Sequence, residues 1–220
     1  MVSYDGMLLR SVAEHAGVNA ARFDAQLEFV EWTALQAPSL ALQRARELKE
    51  AAPRVFVDKA AVEDYMWCRL AMETAAKYQH ASGDALARLV YSTLTGDDPG
   101  PVLQLSNFER SLAPAVRDCV VVRAAKRMRK SPEWSYVVAF SNTLKHMSVI
   151  NHQYHLDVVD VSPIRLGESS GFMFRQFEYK GRTYPECSQA AFEGVLSGVR
   201  EDLFLVLDEL GGFLAARRSG

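Results

Sequence analysis

The stretch SPEWSYVVAFSNTLKH, residues 131–146, opens with three helix-start signals in a row. Ser131 can accept from the first free backbone N–H groups. Pro132 suits the first helical position, where its missing N–H leaves nothing unpaired, and Glu133 complements the positive end of the helix dipole. The spacing predicts a helix from here to about Ile150. Val138, Phe140, Leu144 and Val149 are expected to face a core, while Ser141/Lys145 and Asn142/His146 form two i, i+4 polar pairs within one turn.

Helical periodicity continues outward in both directions. Leu27, Val30, Ala34 and Leu35 share a stripe that should break at Pro38, and a second segment runs from Leu40 to about Ala51, stopped by Pro53. VDKAAVEDYMWCRLAMETAAKYQHASG, residues 57–83, reads as one helix capped by Asp58 and ended by Ser82-Gly83. Val62, Tyr65, Met66, Leu70 and the run from Met72 to Ala76 give it a wide stripe expected to be buried. A shorter helix spans Asp84 to Leu94, and TGDDPGP (95–101) is the clearest loop. Ser106 or Asn107 starts a helix to about Lys130, bent at Pro114.

After the opening stretch the period changes. GFMFRQFEYKGRTY, residues 171–184, alternates Phe172, Phe174, Phe177 and Tyr179 imperfectly and turns at Lys180-Gly181. This predicts a β-hairpin, bulged near Arg175-Gln176, before a last helix that Ser188 caps and that runs to Leu214. The fold class is therefore all-α: one domain over residues 1–220, with N-terminal helices in 1–57. A bundle core follows in 58–220, and a small hairpin lies at about 171–184 before the last helix.

Of the 220 residues, 49% are hydrophobic and 24% charged, an ordinary globular composition, and the net charge of -2 leaves room only for a local basic patch. No basic stretch leads into an apolar one at the start, and no apolar run approaches the ~20 residues of a spanning helix. Cys68, Cys119 and Cys187 are widely spaced and never form CxxC. These features predict a cytoplasmic protein with reduced thiols and no membrane contact.

The chemistry-bearing residues gather near the opening stretch. An imidazole such as His146 exchanges a proton near neutral pH, which cleavage of an RNA phosphodiester by its own 2′-hydroxyl needs. Lys145 can stabilise charge on a phosphate, and Asn142 can orient the imidazole or hold a phosphate oxygen. The basic run RAAKRMRK (123–130) brings Lys126, Arg127 and Arg129 to one place. They could bind phosphates, or they could only complement a helix C-terminus. Glu73 and Lys77 are either a satisfied core pair or an acid facing His146. His146, His152 and His155, with Cys187, offer a zinc alternative whose spacing fits no standard template. No cofactor motif is present: there is no phosphate loop, dinucleotide fingerprint, nucleophile elbow or H-E-x-x-H.

SNTLKH (141–146), on the penultimate helix of an α-bundle, resembles the HEPN superfamily. The family's hallmark is an arginine, a polar residue directly after it, and a histidine about one to two turns on. The resemblance extends over about residues 58–215 and implies an RNA-binding protein, often a homodimer or a subunit bound to a protein partner, from a bacterial defence or toxin-type system. Its catalytic members are metal-independent endoribonucleases; others serve as non-catalytic scaffold or regulatory subunits. Asn142 stands at the polar position and His146 at the histidine, with Lys145 beside them. Ser141 stands where the family carries arginine, so the cation must come from elsewhere if this copy cleaves RNA. Lys145, Arg165, Arg175 and Arg182 are the candidates.

Overall fold

The computed structural model describes residues 5–51, 60–100, 103–146, 150–155, 158–161, 164–166 and 171–218, some of them, His146 and Arg165 included, by their backbone alone. It is mostly helical with a small antiparallel strand region. In chain order come α1 (Gly6–His15), α2 (Ala20–Glu31), a π turn (Trp32–Gln36), α3 (Ala37–Ala51) and α4 (Ala60–Thr95). Short α5 (Phe108–Ser111) and α6 (Pro114–Arg117) precede α7 (Val120–Lys130) and α8 (Pro132–His146). Among the described residues seven strands follow: β1 (His152–His155), β2 (Val158–Val161), β3 (Ile164–Leu166), β4 (Gly171–Phe174), β5 (Phe177–Tyr179), β6 (Arg182–Tyr184) and β7 (Cys187–Ser188). Helix α9 (Gln189–Arg218) closes the chain. No helix among the described residues is long and apolar enough to cross a membrane.

The chain divides into two compact units, Met1–Gln36 with Tyr78–Ser135 and Ser197–Gly220, and Ala37–Lys77 with Tyr136–Leu196. In the first, local chemistry sets several helix starts. The Asp5 carboxylate accepts from Met7 N and Leu8 N, and Asn19 accepts from Arg22 N. Ser131 Oγ accepts from Trp134 N at 3.2 Å, the cap expected for α8.

Two expected breaks are absent. Helix continues through Pro38, because the preceding turn widens to π geometry. Proline removes the N–H that would reach the carbonyl of Ala34, and the Gln79 side chain donates to that oxygen instead, at 3.1 Å. Gly83 does not end α4 either. A Cβ there would come within 2.1 Å of the Trp134 ring, so the glycine serves close packing rather than capping. The expected long helix before Lys130 is instead three pieces, with Pro114 opening α6 rather than bending a continuous helix. Asp58 and Pro53 lie outside the described residues.

The second unit holds the strands. The β5–β6 hairpin turns at Lys180 (φ 51°) and Gly181 (φ 72°), the paired positive φ angles of a two-residue turn that follows the strand twist. The expected hairpin is thus present but shorter. β4 belongs to a separate three-stranded sheet, β1-β4-β7, and β2 and β3 pair with each other. The sequence did not announce β1, β2 or β3, because strands this short carry little alternation. Phe140 of α8 anchors the unit. Its ring centroid lies 4.8 Å from Phe174 of β4 and 4.7 Å from Phe192 of α9, and Tyr136, Phe177 and Tyr184 extend the cluster. Ser188 Oγ accepts from Ala191 N at 3.2 Å, the cap expected for α9.

Candidate functional site

Helix α8 is buried nearly all round. Val137, Ala139, Phe140, Ser141 and Thr143 are buried, Val138, Asn142 and Leu144 are half-buried, and Lys145 is exposed. Ser141 is therefore not on the wet face where the i, i+4 pairing put it. Its side chain is 0% exposed, and its hydroxyl donates to the Ala76 carbonyl of α4 at 3.1 Å. A long charged side chain has no room at that position. The side chains of His146 and Arg165, and all of Val149, lie outside the described residues.

Six positions beyond the end of α8, His152 of β1 meets Arg69, seven residues before Ala76. Arg69 and Glu73 lie within two turns of Ala76 on α4.

Those two residues and His152 form a cluster that the sequence did not announce. The Arg69 Nη1 atom lies 2.7 Å from His152 Nδ1 and 3.1 Å from Nε2. Guanidinium only donates, so the imidazole must present a lone pair and stay neutral. Burial, then the nearby Arg69 charge, holds the His152 pKa below the ordinary histidine value. Arg69 Nε stands 3.3 Å from Glu73 Oε1, with side chains only 13% and 9% exposed. Burial raises the Glu73 pKa, and Arg69 and Lys77 act against that rise. Neither Arg69 Nε nor Glu73 Oε1 makes a hydrogen bond among the described residues. The two atoms face each other across that ion pair, so each is the other's charge partner. Glu73 is thus a core acid paired chiefly to Arg69. The expectation paired it with Lys77, which is exposed.

The other candidates fall elsewhere. Arg175 donates to Gln153 Oε1 at 2.9 Å and pairs with Glu186 at 3.3 Å. Gln153 follows His152 directly in a regular strand, so the two point to opposite faces of the sheet and Arg175 sits on the side away from Arg69. Arg182 lies over the Tyr184 ring. In the first unit, Lys126 pairs with Glu109 at 2.8 Å, Arg129 with Glu109 at 3.8 Å and the Ser106 carbonyl at 3.1 Å, and Arg127 with Glu209 at 3.7 Å. The basic run is tied into the protein's own carboxylates and carbonyls.

The segment bearing His152 and His155 is strand, and positions three apart in a strand do not share a face. No group of three or more His, Cys, Asp or Glu among the described residues could hold a metal ion. Cys68 and Cys187 are buried and Cys119 half-buried, none of the three is in a disulfide, and burial pushes the Cys187 thiol up. No protein-family model matches the chain. No curated protein and no solved structure matches it either.

Proposed function

We propose that this chain is a HEPN-like protein that binds RNA at the last turn of α8 without cleaving it, through Lys145 and Asn142. One observation carries the reading: the position of the family's arginine is a fully buried serine bonded to the Ala76 carbonyl. The motif's permanent fork of positive charge is missing from α8, and a lysine can hold a phosphate as a point charge but cannot replace that fork. Lys145 is exposed and Asn142 half-buried, as a phosphate contact requires.

A second reading has its own support. Arg69 reaches the same region from α4 and keeps a histidine neutral beside a cation. In that reading Arg69 substitutes for the family's arginine and His146 is the acid/base. The 2′-oxygen attacks phosphorus, the P–O5′ bond breaks, the base takes the 2′-hydroxyl proton, and a proton is returned to O5′. The products are a 2′,3′-cyclic phosphate and a 5′-hydroxyl.

Binding of a labelled single-stranded RNA in EDTA, followed by fluorescence anisotropy over a salt series, tests the first reading. Lys145→Ala is expected to weaken binding and to lower the slope of log affinity against log salt by about 1. Absence of binding by the wild type, or an unchanged slope in the variant, removes it. Cyclic-phosphate products formed in EDTA and lost in His146→Ala would select the second reading instead.

A further inference from the structure

In the first unit, α1 and α4 each end on a glycine at positive φ, Gly17 at 72° and Gly96 at 78°. Nothing stands within 4 Å of where a Cβ would be at either one. These bare backbones wall a cavity of about 280 Å³, lined also by Asn19 and Arg22 at the start of α2, by Thr95, and by Arg217 near the end of α9. Among the described residues no Asp or Glu lines it, in a chain whose acidic residues outnumber the basic ones 27 to 25.

The arginines of α7 differ from these two, because Glu109 and Glu209 answer their charge. Arg22 Nη1 donates to the Gly96 carbonyl at 3.3 Å, and Arg217 lies over the Phe213 ring at 5.7 Å. A cation there complements the carbonyls at a helix C-terminus. The bond to Gly96 uses only one of the five N–H donors of a guanidinium, however. Among the described residues neither arginine is ion-paired, and both are open to solvent, Arg22 in part and Arg217 largely. Two guanidinium forks at one carboxylate-free hollow suit the oxygens of a phosphate.

A second hollow, of about 480 Å³, shares Arg22 and extends the site. Arg22, Gln26 and Phe29 line it from one face of α2, at i, i+4 and i+7. Phe29 is 50% exposed and offers a ring on which any base can stack. Seven residues of helix separate Arg22 from Phe29 by about 10 Å, comparable with a nucleotide's reach from its phosphate to the far edge of its base. Asp98 is the carboxylate in this second hollow. It accepts from Gly100 N at 2.9 Å and keeps lone pairs for an exocyclic amino group.

We propose that this groove binds a mononucleotide, its phosphate on Arg22 and Arg217 and its base against Phe29. The groove belongs to the first unit and stands apart from the RNA reading, whose residues lie in the second.

Isothermal titration of the full chain in EDTA, with AMP and separately with inorganic phosphate, tests it. Circular dichroism shows that each variant folds. AMP is expected to bind saturably and more tightly than phosphate. Arg22→Gln and Arg217→Gln should each weaken AMP by about ten-fold, the loss of one charged hydrogen bond. Phe29→Ala should bring AMP down to the affinity of phosphate. A wild type without saturable AMP binding overturns the proposal. So does AMP no tighter than phosphate, or an affinity that either arginine variant or Phe29→Ala leaves unchanged.

Discussion

The basic run of α7 and Arg69 of α4 show opposite relations between charge density and environment. Arg123 to Lys130 is the densest positive stretch in the chain. Its charges lie at the surface, paired with Glu109 and Glu209, and the Arg123 guanidinium donates to the Asp118 carbonyl. Arg69 is one arginine in an otherwise apolar stretch, and it is nearly enclosed with Glu73 and His152. Water screens the first group, so each of its pairs matters little. Around the second the effective dielectric is lower, so the same charges shift pKa values and depend on one another. Count in the sequence is a poor guide to consequence; enclosure decides it.

The contrast predicts a graded response to substitution. Glu73→Ala leaves Arg69 enclosed without its carboxylate and should cost about 3–5 kcal/mol in urea unfolding. A cost below about 1 kcal/mol would mean that the α4 cluster behaves as a surface pair, and the contrast would fail.

The acid side of the stability profile comes next in size. The folded-state pKa of His152 is held below the ~6.5 of an unfolded histidine, so below about pH 6.5 the unfolded chain binds the extra proton first. Stability from this group is complete above that value and is lost as the pH falls through it. The raised pKa of Glu73 works the other way: the folded protein takes up that proton first, which favours the fold on acidification. Arg69 and Lys77 are the cations acting on this pair. Thermal melts of wild type and His152→Gln between pH 8 and 5 should therefore converge as the pH falls. Parallel curves would show that His152 does not titrate against Arg69.

The smallest effect belongs to α7. Arg127, 67% exposed, should change stability by no more than about 0.5 kcal/mol when replaced by alanine, with no dependence on pH. A loss as large as that of Glu73→Ala would erase the difference between the two regions.

What could be read from the sequence was what neighbouring residues decide among themselves. Ser131 and Ser188 cap the helices expected of them, TGDDPGP interrupts the chain after Thr95, and Lys180-Gly181 turns the hairpin. Residues whose meaning depends on a distant partner were misread. Gly83 resembles a helix stop until Trp134 is seen against it, and Pro38 resembles a break until Gln79 takes the freed carbonyl. Met66 and Leu70 have the spacing of a core stripe, yet they face outward. Arg69 gave no signal, because its partner His152 lies 83 residues away in a strand too short to announce itself.

The sequence by itself determined the helical character, the caps, the hairpin turn and the serine at position 141, all of which follow from local propensity and hydrogen-bonding geometry. Only the tertiary structure decided that this serine is enclosed and spent on the Ala76 carbonyl, and that the enclosed cation beside His152 comes from α4. Burial belongs to the packed assembly of segments, and a residue's neighbours in sequence do not specify which surface another segment will cover.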